Sequence, residues 1–137
     1  MTFPQLLLDT DILSAMMRKN LLVRAKGQSY LDKHGRFTFS IITRYEILRG
    51  LKVRQALKQT TFFDKFCARC TILPITDKEV VVASDIYADL HRRGELIGDA
   101  DILIAASALV NGFGVVTNNV HHFGRIKELM VENWLSS

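Results

Sequence analysis

The sequence predicts an α/β fold, a three-layer α/β/α sandwich in which helices cover both faces of a central, mainly parallel sheet. Three observations predict it. Short apolar runs of strand length recur along the chain, with segments of helical apolar spacing between them. Strands that alternate with helices pair in parallel, because parallel neighbours need crossover connections. The first and last runs are also almost wholly apolar, as strands buried on both faces must be.

The first run, "QLLLD" at 5–9, reads as a short buried strand, and "TDILSAMMR" at 10–18 follows as a helix with Ile12, Leu13, Met16 and Met17 on its apolar side. "LLVRAKGQSYLDKHG" at 21–35 is helical and ends at Gly35, and "RFTFSII" at 36–42 alternates as a strand to about Ser40. "ITRYEILRGL" at 42–51 and "RQALKQTTFFDKFCARC" at 54–70 are two further helical stretches, after which "TILPI" at 71–75 is a strand stopped by Pro74. In "TDKEVVVASDIYADLHRRG" at 76–94, Thr76 and Glu79 have capping-box spacing, the apolar positions are Ala83, Ile86, Tyr87 and Leu90, and Gly94 is the stop. "DADILIAASALVNG" at 99–112 is apolar on nearly every side after its acidic start, as a buried helix is, and Gly112 closes it. "FGVVTNN" at 113–119 is the last strand.

At 137 residues with 48% hydrophobic residues, the chain reads as one domain, 1–137, able to bury its own core, with no repeat and no linker. A net charge of +4 favours a polyanionic partner without identifying one. Two cysteines, Cys67 and Cys70, are too few for a disulfide framework, and no apolar run approaches the ~20 residues of a membrane span. Asp9 and Asp11 break the N-terminal apolar run, which argues against a signal peptide; the expected setting is cytoplasmic, away from membranes.

In an open parallel sheet, ligands bind in the crevice outside the carboxyl ends of the strands. Asp9 ends the first strand, Asn118 and Asn119 end the last, Asp99 and Asp101 open the buried helix, and Glu46 lies a turn or two into the helix after the second strand. Converging carboxylates repel unless a cation neutralises them, and hard oxygen ligands suit Mg²⁺ or Mn²⁺. Each residue also has a structural reading: Asp11 or Thr10 as the cap of the first helix, Glu46 in a capping box with Thr43, and Asp99 as the cap of its helix. Asp9 and Asp101 resist it, since one terminates an apolar run and the other directly precedes the buried "ILIAA" face.

Four blocks, "LLLDTDILS", "SIITRYEILRG", "IGDADILIAASAL" and "VVTNNVHHFGRIKELMVENW", together resemble in order and spacing those of PIN-domain ribonucleases, in particular VapC-type toxins of bacterial toxin–antitoxin pairs. They span residues 6–134. The resemblance implies a PIN-like fold and a Mg²⁺- or Mn²⁺-dependent endoribonuclease, with the family's first acid at Asp9, its helical glutamate at Glu46, its third acid at Asp101 and Asp99 as an auxiliary ligand. Asn119 stands where the fuller pattern often has an acid; an amide can ligate a metal or orient water but adds no charge. The resemblance further implies an RNA substrate, a cognate antitoxin docked across the active-site groove, and a homodimer, for which the apolar surplus in "ILRGL" and "FFDKFC" offers surface. Arg18, Lys19, Arg44, Arg49, Arg92 and Arg93 are candidate phosphate contacts.

Other signals point elsewhere. Cys67-Ala-Arg-Cys70 has metal-like spacing, but no second such pair accompanies it, so zinc shared with His121 and His122 is disfavoured. His34 and His91 read as surface residues near helix ends. "LLLDTDIL" also resembles the Asp-x-Asp strand end of haloacid-dehalogenase-type phosphatases, with Asp9 as nucleophile and Asp11 as acid/base, but that reading leaves Glu46 and "TNN" without a role. A non-catalytic module that binds RNA or protein on the same fold is the rival from another class, and it rests on the amide in place of the fourth acid.

Overall fold

The computed structural model describes residues 4–136. The chain begins with β1 (Leu6–Leu8), α1 (Thr10–Met17), α2 (Leu21–His34), β2 (Thr38–Ser40), α3 (Ile41–Val53) and α4 (Leu57–Cys67). It continues with β3 (Thr71–Leu73), α5 (Asp77–Arg92), α6 (Asp99–Asn111), β4 (Gly114–Val116), α7 (Val120–Phe123) and β5 (Val131–Glu132). All strand pairs are parallel, in the order β3-β2-β1-β4-β5. The three-layer expectation holds, with a wholly parallel sheet.

Successive residues of β1 point to opposite faces and so build two separate cores. Leu6 and Leu8 pack with Phe39, Val116 and the buried sides of α1 to α4. Leu7 packs with Val115 and the buried sides of α5, α6 and α7. No helix among the described residues is long and apolar enough to cross a membrane.

The helix ends follow local chemistry. Gly35 closes α2 in the left-handed region at φ 83°, returning its N–H to the Leu31 carbonyl. Thr76 and Glu79 form the expected capping box on α5. On α5, Ala83, Ile86 and Leu90 are buried as expected, whereas Tyr87 turns outward. Gly114 answers a close approach: a Cβ there would stand 2.5 Å from Met130 Cε and 3.1 Å from the Met130 carbonyl oxygen. Elements α7 and β5, of four and two residues, are not among the sequence expectations, being too short to show a period.

Candidate active site

Strand order reverses between β1 and β4: the chain runs outward through β2 and β3 on one side, then through β4 and β5 on the other. The crevice at such a switch point, above the strands' carboxyl ends, is the binding place of open parallel sheets. Asp9 and Thr117, the residues that follow β1 and β4, are both buried there.

Asp9 is held by two donors: its Oδ1 accepts from the Thr10 N–H at 2.8 Å, and its Oδ2 from the Thr117 hydroxyl at 2.7 Å. Asp9, rather than Thr10 or Asp11, therefore occupies the cap position of α1. Burial, then the charge of Asp11, pushes its carboxyl up to about 7, despite both hydrogen bonds; Asp101 adds to the push.

Asp11, in the first turn of α1, joins the same cluster. Its Oδ2 accepts from the Asn118 N–H at 3.0 Å, while its Oδ1 is buried without a hydrogen-bond partner. Burial raises its pKa too, with Asp101 contributing repulsion. A role limited to starting a helix does not account for this carboxylate.

Glu46 comes from α3, and its Oε1 accepts from the Thr10 hydroxyl at 2.6 Å. Thr43 Oγ1 lies 3.1 Å from that hydroxyl, so Thr43 and Glu46 turn to α1 instead of closing a capping box, and Ser40 caps α3 through the Ile42 N–H. Asp101 comes from the first turn of α6; its Oδ2 lies 3.4 Å from Asn119 Nδ2 and 3.4 Å from His122 Nδ1. Asn119 in turn donates its backbone N–H to the Thr117 hydroxyl at 2.9 Å. Asp9, Asp11, Asp101 and the 117–119 segment thus meet at the end of β1, and Thr10 ties Glu46 to it.

The blocks that supply these residues match the family model described as "PIN domain" over residues 6–129. The chain belongs to the PIN-domain family. Among its curated relatives, "Ribonuclease VapC1" of Methanocaldococcus jannaschii is 32% identical over 90% of this chain and 82% of its own length. "Ribonuclease VapC2" of Haemophilus influenzae is 32% identical over 94% of this chain and 97% of its own. Of solved structures, VapBC from Salmonella typhimurium, described as DNA bound, matches with a TM-score of 0.85 at 27% identity, covering 96% of this chain and 99% of that one. VapBC2 from Rickettsia felis, bound to a DNA fragment from the promoter, matches with a TM-score of 0.84 at 27% identity over 93% and 97%. The PIN membership removes the phosphatase reading of "LLLDTDIL".

Within this PIN site, Asp99 is not brought to the cluster. It lies two residues before Asp101, about 200° around the helix, and lines a shallow hollow with Val80 and Tyr87 of α5 instead. Gly98, without a side-chain hydrogen bond, takes the cap position expected of Asp99. Two of the candidate phosphate contacts are engaged elsewhere: Arg44 pairs with Asp64 at 3.1 Å and donates to Cys67 Sγ, and Arg93 pairs with Asp89 and Glu95. Arg49 lies 3.7 Å from Glu46 and flanks the site. Both cysteines are free, and burial pushes the Cys70 thiol up to about 12. His91 is exposed as expected, and His34 is half-buried against Tyr30, their ring centroids 4.4 Å apart.

Sequence reasoning gave Thr117 no role, read Asp11 as a helix cap or a phosphatase acid/base, and weighed His122 only as a zinc ligand. Thr117 had a legible signal, a polar residue ending an apolar strand at the same address as Asp9. The donor set suits a hard divalent cation, since burial and repulsion between carboxylates oppose ionisation of both Asp9 and Asp11 without a counter-charge, and one oxygen of Asp11 has no partner. Among the described residues, no three His, Cys, Asp or Glu side chains are arranged to hold an ion by themselves.

Proposed function

We propose that the chain is a Mg²⁺- or Mn²⁺-dependent endoribonuclease, the toxin of a toxin–antitoxin pair, which hydrolyses RNA phosphodiester bonds. The observation that carries this reading is the convergence of Asp9, Asp101 and Glu46, from three distant segments, on the switch point of a PIN fold. Its similarity to VapC ribonucleases and to VapBC structures supports it.

Asp9 and Asp101 are the carboxylates assigned to hold the metal. A divalent cation there would lower the pKa of a bound water and neutralise charge developing on the phosphoryl oxygens. Glu46, with Oε1 fixed by Thr10, is assigned to orient and deprotonate the attacking water. Thr117 fixes the rotamer of Asp9, Asn119 that of Asp101, and Asp11 keeps Asn118 and its loop against the site. No side-chain nucleophile is required, and both oxygens of Asp9 are engaged as acceptors.

The antitoxin is assigned to the groove of about 820 Å³ between α1, α3 and α4. Met17, Ile47 and Phe62 give it an apolar floor and Arg18, Arg54 and Lys58 a cationic rim, complementary to an amphipathic acidic segment. A second copy of the chain is assigned to α5, where Val80, Val81 and Tyr87 stand exposed. Of the "ILRGL" and "FFDKFC" segments, Ile47, Leu51 and Phe63 are buried in the core, whereas Phe62 stands exposed.

The test is cleavage of RNA with Mn²⁺ or Mg²⁺ after removal of any bound antitoxin, for the wild type, Asp9→Asn and Asp101→Asn. Loss of cleavage in both variants is expected. Undiminished cleavage by both overturns the site, and RNA retention without cleavage by the wild type would make the chain a binding module.

A further inference from the structure

The helical turn after β4 brings a histidine to the rim of the acidic cluster. Asn119 Nδ2 lies 2.8 Å from His122 Nδ1 and 3.4 Å from Asp101 Oδ2. An amide nitrogen donates and never accepts, and it carries two hydrogens. His122 Nδ1 also lies 3.4 Å from Asp101 Oδ2, but its shorter contact is with Asn119; directed to His122 Nδ1 and to Asp101 Oδ2, the two amide hydrogens make Nδ1 an acceptor and place the ring's N–H on Nε2. The ring is therefore anchored by one edge. The other edge carries Nε2–H, which no described residue engages, and the side chain is 40% exposed.

We propose that His122 is a substrate-contacting residue, whose Nε2–H donates a hydrogen bond to a phosphate oxygen of RNA lying over Asp9 and Asp101. The assignment rests on the ribonuclease reading above and deepens it. The cluster is strongly acidic and repels a phosphodiester, so a fixed N–H donor at its rim gives the backbone a contact that adds no further carboxylate. Asn119 is then the residue that sets the tautomer, which gives a chemical reason for an amide where a fourth acid would otherwise stand: a carboxylate would accept from Nδ1–H and move the proton to the wrong edge. The neighbouring His121 does not share the role. Its ring centroid is 6.4 Å away, and it lines a different hollow, beside Arg93 and Arg125.

The experiment measures binding of a short fluorescein-labelled RNA of mixed sequence in EDTA, where nothing is cut, alongside kcat and KM with Mn²⁺. His122→Ala is expected to weaken binding and raise KM about tenfold, the weight of one hydrogen bond to a charged group, with kcat little changed. His122→Gln, whose amide nitrogen reaches the Nε2 position, restores most of the loss; His122→Asn, which reproduces only Nδ1, does not; His121→Ala behaves as wild type. Long-range ¹H–¹⁵N spectra at neutral-imidazole pH are expected to show the Nε2–H tautomer. Wild-type binding and KM in His122→Ala, rescue by Asn instead of Gln, or an Nδ1–H tautomer overturns the proposal. Those results leave the ribonuclease reading intact as long as Asp9→Asn abolishes cleavage by an otherwise active protein. Absence of any wild-type cleavage defeats that reading instead, while binding in EDTA still decides the role of His122.

Discussion

The two ends of β1 solve the same problem in opposite ways. At its amino end the Tyr30 hydroxyl accepts from the Leu6 N–H at 3.0 Å and donates to the Leu6 carbonyl at 3.3 Å, so one phenol satisfies both groups of an entering strand. Phe37 and Trp134 pack around that ring, with centroids 6.1 and 5.8 Å from it. Both backbone groups of Leu6 thus have a partner, and aromatic rings surround it. At the carboxyl end, three residues further on, Asp9 is equally buried but faces Asp11 and Asp101, and an oxygen of Asp11 has no partner at all. The amino end stabilises the fold; the carboxyl end stores repulsion that a cation would relieve.

Substitutions at the two ends should therefore separate activity from stability. The largest effect is expected from Asp9→Asn, which should lower RNA cleavage at least ~100-fold while leaving the metal-free protein as stable as the wild type or more so in urea unfolding. Tyr30→Phe should do the reverse: loss of the buried partner of Leu6 costs about 1–3 kcal/mol in urea unfolding, with cleavage per folded molecule unchanged. A parallel fall in cleavage would break the division between the two ends. Thr117→Val removes the hydroxyl that fixes Asp9, and Mn²⁺ affinity by calorimetry should fall on the order of tenfold.

The smallest effect expected is a pH dependence of melting. The folded chain keeps a proton on Asp9 up to about 7, whereas the unfolded chain releases it near 3.8. Between those values the folded state binds the extra proton, so in EDTA stability contributed by this group falls as pH rises across that window and levels off above 7. Asp9→Asn should flatten the profile, and Mn²⁺ should raise the melting temperature more at pH 8 than at pH 5, because it competes with that proton.

Much of this was legible from residue order. The five main helices after "LLLDTDIL" and the strand beginnings at Leu6, Thr38, Thr71 and Gly114 lie within about three residues of where apolar period, Gly35, Gly112 and the Thr76 box place them. Asp9 and Asp101 also stood out, because charges at the ends of buried runs are costly without a purpose, and Glu46 through its place in the helix after the second strand and the family resemblance. Tyr87 departed from its expected burial because an apolar helical stripe marks a face without marking how far the opposing layer reaches.

By itself, the sequence determined the alternation of strands and helices, the helix stops and the acids that had to be explained, since these depend on local backbone preference and on the transfer cost of single side chains. Only the tertiary structure decided which acids meet. Asp99 and Asp101 look alike in "GDADI", yet the helical turn between them sends one towards α5 and the other to Asn119 and His122. Asp9 and Asp11 look like a matched pair, yet Thr117, more than a hundred residues away, binds one of them, and Asn118 binds the other. Those partners are chosen by the pairing of β1 with β4, a contact between distant segments that no local pattern encodes.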